Sequence, residues 1–503
     1  MLATLLLAPL LISLCAAAAR TSTGIALETA LLVAAPTCGM LLVMACRTWG
    51  TSALPSQRIT YKALGIALLC LLPFFIVPSY GFVNVGTADG GNHVRLYQSF
   101  ISSTPNAYHG FVGFYALIFL FQRTLGVFPE LALLIALGYT MFVLIWMITL
   151  WGLTKRVPVV YVIALNLISI VPTVLVLQTN GFYPQIYGLS ILILYLILGD
   201  RPLPPKTIVP LSLLGAGLLR YSYGLTMADI FLAGSIYLLL RRKVLSSLLL
   251  LALGVYTVTR LLPIITIPGE FTPIHTANLI IAMILLLLGT KERQRLPMLL
   301  VSSSLAVWLT LGVTVGFGHY YVEKYPMGLC LVAGVITLQG FASANATTKA
   351  LLAGSLLFLS AAIFPYTSNA VDIARGRFVN PEVDLKLIHE IRGFLNSNNE
   401  SLRVFLGSKW SRTNMVNAIF DREYSYQEFQ SGTFPSQRGC VFFDATDGIV
   451  RRLKKDRMPE LSRAIDALLR APHTRITYDA PWSEGGILAI GIVCDASHNG
   501  PQH

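Results

Sequence analysis

The sequence predicts a polytopic α-helical membrane protein of about 13 transmembrane helices, followed by a small extracytoplasmic α/β domain. Three observations carry this. The chain of 503 residues is 55% hydrophobic and only 12% charged, against about 25% charged in soluble globular proteins. Its mean hydropathy is +0.67. Charges are sparse up to residue 366 and ordinary beyond it, which separates a membrane domain over 1–366 from a soluble domain over 367–503.

A helix needs about 20 apolar residues to cross the hydrocarbon core. Apolar runs lie at 2–19, 25–45, 63–79, 130–152, 157–177, 184–199, 207–222, 226–240, 244–263, 276–289, 297–315, 327–341 and 350–366. The first run ends in small residues, as a signal peptide does. It lacks a basic leader and a second run follows at once, so it reads as a retained helix. Five cysteines, Cys15, Cys38, Cys46, Cys70 and Cys330, sit in or beside these runs as small apolar residues.

The net charge of +13 comes mostly from short loops between the runs. That is the signature of membrane topology rather than of nucleic-acid binding, because Lys and Arg are retained on the cytoplasmic side. With the N-terminus inside, the cytoplasmic loops hold Arg47, Arg58, Lys62, Lys155, Arg156, Arg201, Lys206, Arg241, Arg242, Lys243, Lys291, Arg293, Arg295 and Lys349. The opposite loops and helix ends hold Arg20, Arg95, Arg123, Arg220, Arg260 and Lys324. An odd number of spans then puts the C-terminus outside.

The predicted outer face carries the chemistry. Its longest loop, 80–129, is too long for a turn and too apolar for a linker, and long structured loops are commonly functional. Its second half, FVGFYALIFLFQRTLG, is amphipathic enough to be expected in the interface plane. Its first half contains T-A-D-G-G-N-H-V-R over 87–95. Asp89 is the sole acidic residue between Glu28 and Glu130. The two glycines after it let the backbone turn tightly. A helix starting near Asn92 would put His93 and Arg95 in its first turns, with Asp89 just ahead. An Asp there also serves as a plain cap, but Asp, Asn, His and Arg together at a membrane surface favour a functional cluster. His109 lies further along the same loop.

Other outer segments add QTNGFYPQIYG (178–188), RYSYG (220–224), PGEFTPIHT (268–276) and GFGHYYVEKYP (316–326). Their tyrosines read mainly as interface anchors. Arg220, His319 and Lys324 are costlier to place at a membrane and stand out as binding groups. A cationic outer surface around one carboxylate suits a lipid phosphate or diphosphate.

Beyond residue 380 the periodicity is that of a soluble α/β domain. Helices are expected over 381–400 and 458–471, and strands over 402–408, 440–445, 475–480 and 485–495. Cys440 and Cys494 are its two cysteines, free to pair or not in an oxidising compartment.

With these residues in view, the chain resembles the GT-C superfamily of polyprenyl-phosphate-sugar-dependent glycosyltransferases. In that family an early extracytoplasmic loop carries an essential acidic residue, interfacial helices follow, and many members end in an extracytoplasmic domain. Asp89 within T-A-D-G-G-N-H-V-R stands at the acidic position. Here the loop follows the third span rather than the first, and the acidic pair is reduced to one Asp. The resemblance implies an enzyme of the cell envelope in the bacterial plasma membrane. It would move a sugar from a lipid-linked donor to a glycan, lipid or protein acceptor, among membrane lipids and without nucleic acid.

Such a transfer needs a base for the acceptor proton and charge stabilisation of the departing lipid phosphate. Asp89 would be the base, or the ligand of a divalent cation such as Mg2+ or Mn2+; the sequence names no cofactor. His93 would assist Asp89 in catalysis. Asn92, Arg95, His109, Arg220, His319 and Lys324 would bind substrate. An O-antigen ligase or polymerase-like transferase and a lipid or polysaccharide transporter remain alternatives. The predicted orientation has a direct check. A reporter enzyme that works only outside the cytoplasm is expected to be active when fused after residue 366 and inactive when fused after residue 243.

Overall fold

The computed structural model describes residues 2–49, 57–76, 90–102, 112–179, 183–199, 204–222, 224–261, 296–316 and 345–354, a few single residues nearby, and four strands between 402 and 495. The chain forms two compact units, one of residues 1–77 with 107–371, the other of residues 78–106 with 372–503. The predicted outer loop 80–129 is thus divided. Its first part, with residues 87–95, groups with the C-terminal region, and its second part groups with the helices.

The first unit is helical. Its elements are α1 (Leu2–Thr23), α2 (Leu27–Trp49) and α3 (Gln57–Ile76), then α5 (Val112–Leu125), α6 (Pro129–Thr154), α7 (Val159–Leu165), α8 (Val171–Thr179), α9 (Tyr183–Gly199), α10 (Pro205–Arg220), α11 (Met227–Leu240), α12 (Val244–Leu261) and α13 (Leu296–Val315). The label α4 belongs to Gly90–Ile101 in the second unit. Ten predicted apolar runs therefore coincide with described helices, α7 and α8 sharing one run. The run at 276–289 lies outside the described residues, as does 327–341 apart from Val335, and 350–366 is described as helix mainly over 350–354. Among the described residues two stretches, Leu6–Thr23 and Leu131–Thr154, are long and apolar enough to cross a membrane. Six more, such as Met227–Leu240 and Val244–Arg260, are apolar and shorter.

Helix α6 begins with Pro129 in its first turn, where proline's missing N–H costs nothing. It packs on α3, α5 and α9, while α1 packs on α2 and α5. Trp146, Trp308 and Tyr187 are among the large side chains that fill the interior. Small residues allow close approach elsewhere. A Cβ on Gly234 of α11 would meet the Ser212 hydroxyl at 2.5 Å and Leu250 at 2.8 Å, so α10 and α12 both press on that glycine. Between α11 and α12, the Ser235 hydroxyl donates to the Ser247 carbonyl at 2.9 Å and the Ser247 hydroxyl to the Ser235 carbonyl at 2.8 Å. Such small, reciprocally bonded residues let apolar helices approach closely.

Among the described helices, which also hold Pro36 in α2 and Pro210 in α10, two interruptions bear on the packing. Pro9 lies inside α1, and a proline there removes one ladder bond and crowds the preceding turn. Next to it, the Tyr139 hydroxyl of α6 accepts from the Leu10 N–H at 3.2 Å and donates to the Leu6 carbonyl at 2.7 Å. A side chain has entered the ladder and satisfies both groups, one of the recognised causes of a helix bend. The second interruption is a π-helical turn, Asn166–Ile170, between α7 and α8. The buried Asn166 amide donates to the Thr149 hydroxyl of α6 at 3.1 Å and to the Val162 carbonyl at 2.9 Å.

Two helices end on arginine in an unusual way. After α6, Val157 N–H bonds the Gly152 carbonyl and Arg156 N–H bonds the Leu153 carbonyl. After α11, Lys243 N–H bonds the Leu238 carbonyl and Arg242 N–H bonds the Leu239 carbonyl. Both are Schellman closures, whose left-handed position usually falls to glycine. Here it is Arg156 at φ 59° and Arg242 at φ 57°. A side chain in that conformation costs about 1–2 kcal/mol. The charge offsets part of this by facing the carbonyl end of the helix, and both arginines are among the predicted cytoplasmic cations.

In the second unit the strands are β1 (Leu402–Leu406), β2 (Cys440–Asp444), β3 (Thr474–Asp479) and β4 (Ile490–Asp495). They form one sheet in the order β1-β2-β4-β3. The β1–β2 pair is parallel, and β4 is antiparallel to both neighbours. Each strand falls inside or within one residue of an expected one. The helices expected over 381–400 and 458–471 lie outside the described residues.

One expectation is corrected. The first half of α5 is not the one-sided amphipathic helix expected of the segment 111–126. Val112 through Phe119 of α5 are all buried, so the first two turns are enclosed on every side, as in a core helix. The arginine closures yield a test. Arg242→Gly is expected to raise stability by about 1 kcal/mol by removing left-handed strain, read as a higher unfolding temperature of the detergent-solubilised protein.

Candidate functional site

In the first unit several helix ends converge. The backbone N–H of Gly113, in the first turn of α5, donates to the Tyr221 carbonyl at 2.6 Å. Tyr221 caps the C-terminus of α10. First-turn N–H groups and last-turn carbonyls have no partner within their own helices, and here one donor meets one acceptor end to end. The favourable ends of two helix dipoles also face each other. Glycine is required at 113, because a Cβ there would stand 2.6 Å from the Tyr221 carbonyl oxygen, 2.8 Å from Leu14 and 3.2 Å from Tyr187.

That junction lies beside the start of α9. The Tyr187 hydroxyl is 2.7 Å from the Ser13 hydroxyl and donates to the Leu10 carbonyl at 3.2 Å. Phe114 stacks at a tilt on Tyr183 and Tyr187, with centroids 6.4 and 5.9 Å away. Leu14 is nine residues before Thr23, the end of α1. At 1.5 Å per residue, the end of α10 beside Leu14 lies about 14 Å of rise short of the end of α1. The other end of α5 reaches the top of that pair, where Arg123 bonds Glu28 of α2 at 2.8 Å. Both partners are exposed, so this bridge contributes little stability and serves here as a marker of position.

The converging ends carry polar groups. Arg220, the last residue of α10, is exposed with its guanidinium 5.9 Å from the centre of the Tyr221 ring. Gln185 is buried in the first turn of α9. Asp229 is buried in the first turn of α11, with 1% of its surface exposed. Sequence reading singled out Arg220 and passed over Asp229. The available signal was a carboxylate inside the apolar run MADIFLAGSIYLLL, since an ionisable group at such a position is expensive and commonly functional.

In the second unit, α4 begins at Gly90, the residue after Asp89. The expected helix start near Asn92 is met within two residues. Asn92, His93 and Arg95 fall in its first two turns. His93, Val94, Leu96 and Tyr97 are buried, and His93 and Tyr97 share one face at i, i+4 spacing. Burial of His93 suits holding the helix in place better than touching a substrate. Asp89, His109, His319 and Lys324 lie outside the described residues. Of the expected site residues, α4 brings Asn92, His93 and Arg95 onto one helix, and Arg220 belongs to the other unit. Among the described residues no three His, Cys, Asp or Glu are grouped to hold a metal ion.

The Gly113 junction is testable. Gly113→Val is expected to cost about 1–3 kcal/mol by overpacking, seen as lower yield and an earlier thermal transition, because the neighbour at 2.6 Å is backbone and does not rotate away. No protein-family model matches the chain, and no curated protein matches it.

Proposed function

We propose that the chain is a multi-pass membrane glycosyltransferase that moves a sugar from a polyprenyl-phosphate donor to an extracytoplasmic acceptor. The observation that carries this reading is α4: a helix starts immediately after Asp89 and takes Asn92, His93 and Arg95 into its first two turns. The loop that supplies the carboxylate belongs to the same compact unit as the C-terminal sheet. This supports a catalytic loop built into an extracytoplasmic domain rather than a stray connection.

The multi-pass reading, with about 13 spans, draws on the surface of the helices. Leu245, Leu248, Leu249, Leu251 and Val255 of α12 are exposed, as are Leu68, Leu69 and Leu72 of α3 and Leu32, Val33 and Met40 of α2. Water-soluble surfaces rarely gather apolar area of this kind, whereas lipid-facing helices require it. Helix α5 does not add a span to the count. Its 14 residues equal those of α11, which is counted as a span, so length does not decide; the placement of its two ends does. Its two ends meet Tyr221 and Glu28, both assigned to the outer side by the distribution of Lys and Arg. It enters and leaves on one side, so the C-terminal unit stays outside.

In the proposed reaction the Asp89 carboxylate takes the proton from the acceptor hydroxyl as that oxygen forms the new glycosidic bond. The bond from the sugar to the phosphate breaks, and polyprenyl phosphate leaves. One base suffices because the phosphate is already a good leaving group; two flanking carboxylates are a glycosidase requirement. Arg95 suits the phosphate through its bidentate fork. Arg220, exposed at the C-terminus of α10, is a separate cation of the helical unit. If Asp89 holds Mg2+ or Mn2+ instead, the ion would supply that charge stabilisation.

A lipid or polysaccharide transporter is the second reading. The interruptions at Pro9 and at Asn166–Ile170 favour it, since transporters build sites from broken helices. One substitution separates the two. Asp89→Asn, at unchanged protein level, is expected to lower transfer from lipid-linked sugars in membranes by at least about 100-fold, the low end of what a general base contributes. Unchanged transfer would sink the catalytic assignment.

A further inference from the structure

We propose that Cys440 and Cys494 form a disulfide that staples the two central strands of the sheet. The register of the antiparallel β2–β4 pair sets Cys440 directly opposite Cys494. Directly opposed residues in such a ladder have Cα atoms about 4.5 or 5.5 Å apart, depending on whether the pair is hydrogen-bonded. Both values fall inside the window of about 4.4–6.8 Å that a disulfide spans. Directly opposed positions of a ladder belong to one face of the sheet.

Position in the sheet strengthens the case. In the order β1-β2-β4-β3, β2 and β4 are the inner strands, joined across a long sequence separation. A link there restricts the unfolded chain far more than a link across a tight hairpin. The same unit contains α4 and residue 89, so the staple would stabilise the part of the protein that presents Asp89. The proposal rests on the outer placement of this unit for its chemistry in the cell, since disulfides persist in oxidising compartments.

The step balances by exchange with an oxidised dithiol protein or with glutathione disulfide. One thiolate attacks a sulfur of the incoming disulfide and releases a thiol. The second thiolate then attacks the mixed disulfide, forms the Cys440–Cys494 bond and releases the second thiol. Two S–H bonds are lost from the chain, and the incoming disulfide is reduced.

The test uses the purified full chain, equilibrated with a glutathione redox buffer, denatured in acid and labelled with a maleimide mass tag. The chain has seven cysteines. Five tags before reduction and seven after it are expected, with a peptide linking Cys440 to Cys494 recovered by mass spectrometry. Cys440→Ser is expected to take six tags before and after reduction. The linked peptide is decisive because the thiols of Cys15 and Cys38, 3.1 Å apart between α1 and α2, would give the same tag count if they were oxidised instead. Seven tags before reduction, or Cys440 linked to any other cysteine, overturns the proposal. The assay reads the pairing on either side of a membrane. An outside reporter after residue 366 reads the orientation separately, so failure of one is not failure of the other.

Discussion

The helical unit depends on one constraint: backbone polar groups buried among apolar helices must find partners inside the protein. The Gly113–Tyr221 bond answers it at a helix junction and the Tyr139 hydroxyl answers it at a broken turn. In each case the solution sets the packing around it. Gly113 can donate to Tyr221 because nothing projects from its Cα, and that closeness brings α5 against α1, α9 and α10. Tyr139 can serve Leu6 and Leu10 because Pro9 has opened α1. An unsatisfied amide in such surroundings would cost more than most single contacts provide.

Long apolar helices were legible because composition alone reveals them. A run such as 130–152 needs no knowledge of its neighbours, and α6 covers it. The strands were legible for a similar reason: LRVFL and CVFFD are β-branched and aromatic between polar stretches. The role of α5 was not. Its sequence shows an apolar and an aromatic side, which fits an interface as well as a core, and only the surrounding helices decide between them. Local pattern reports that a face is apolar, not what covers it.

The candidate site divides along the same line. A helix just after Asp89 was readable from the two glycines and the polar cluster that follow. The burial of His93 was not, because it depends on what packs against α4. Asp229 was overlooked for an instructive reason. A single carboxylate in an apolar helix barely lowers the average hydropathy, so a search for spans absorbs it. Weighing each ionisable residue by the cost of burying it would have brought it forward.

The π-helical turn at Asn166–Ile170 has a consequence for descent. Such a turn accommodates one residue more than an α-helix would, and a single residue is about 100° of rotation at 3.6 residues per turn. Without it, every side chain of α8 would present a different face to α9, while Asn166, held in the frame of α7, would keep its place opposite Thr149. The turn therefore fits the absorption of a one-residue insertion in an ancestral continuous helix. Related chains that lack the insertion would show a gap of one at this place, with the apolar pattern resuming in phase beyond it.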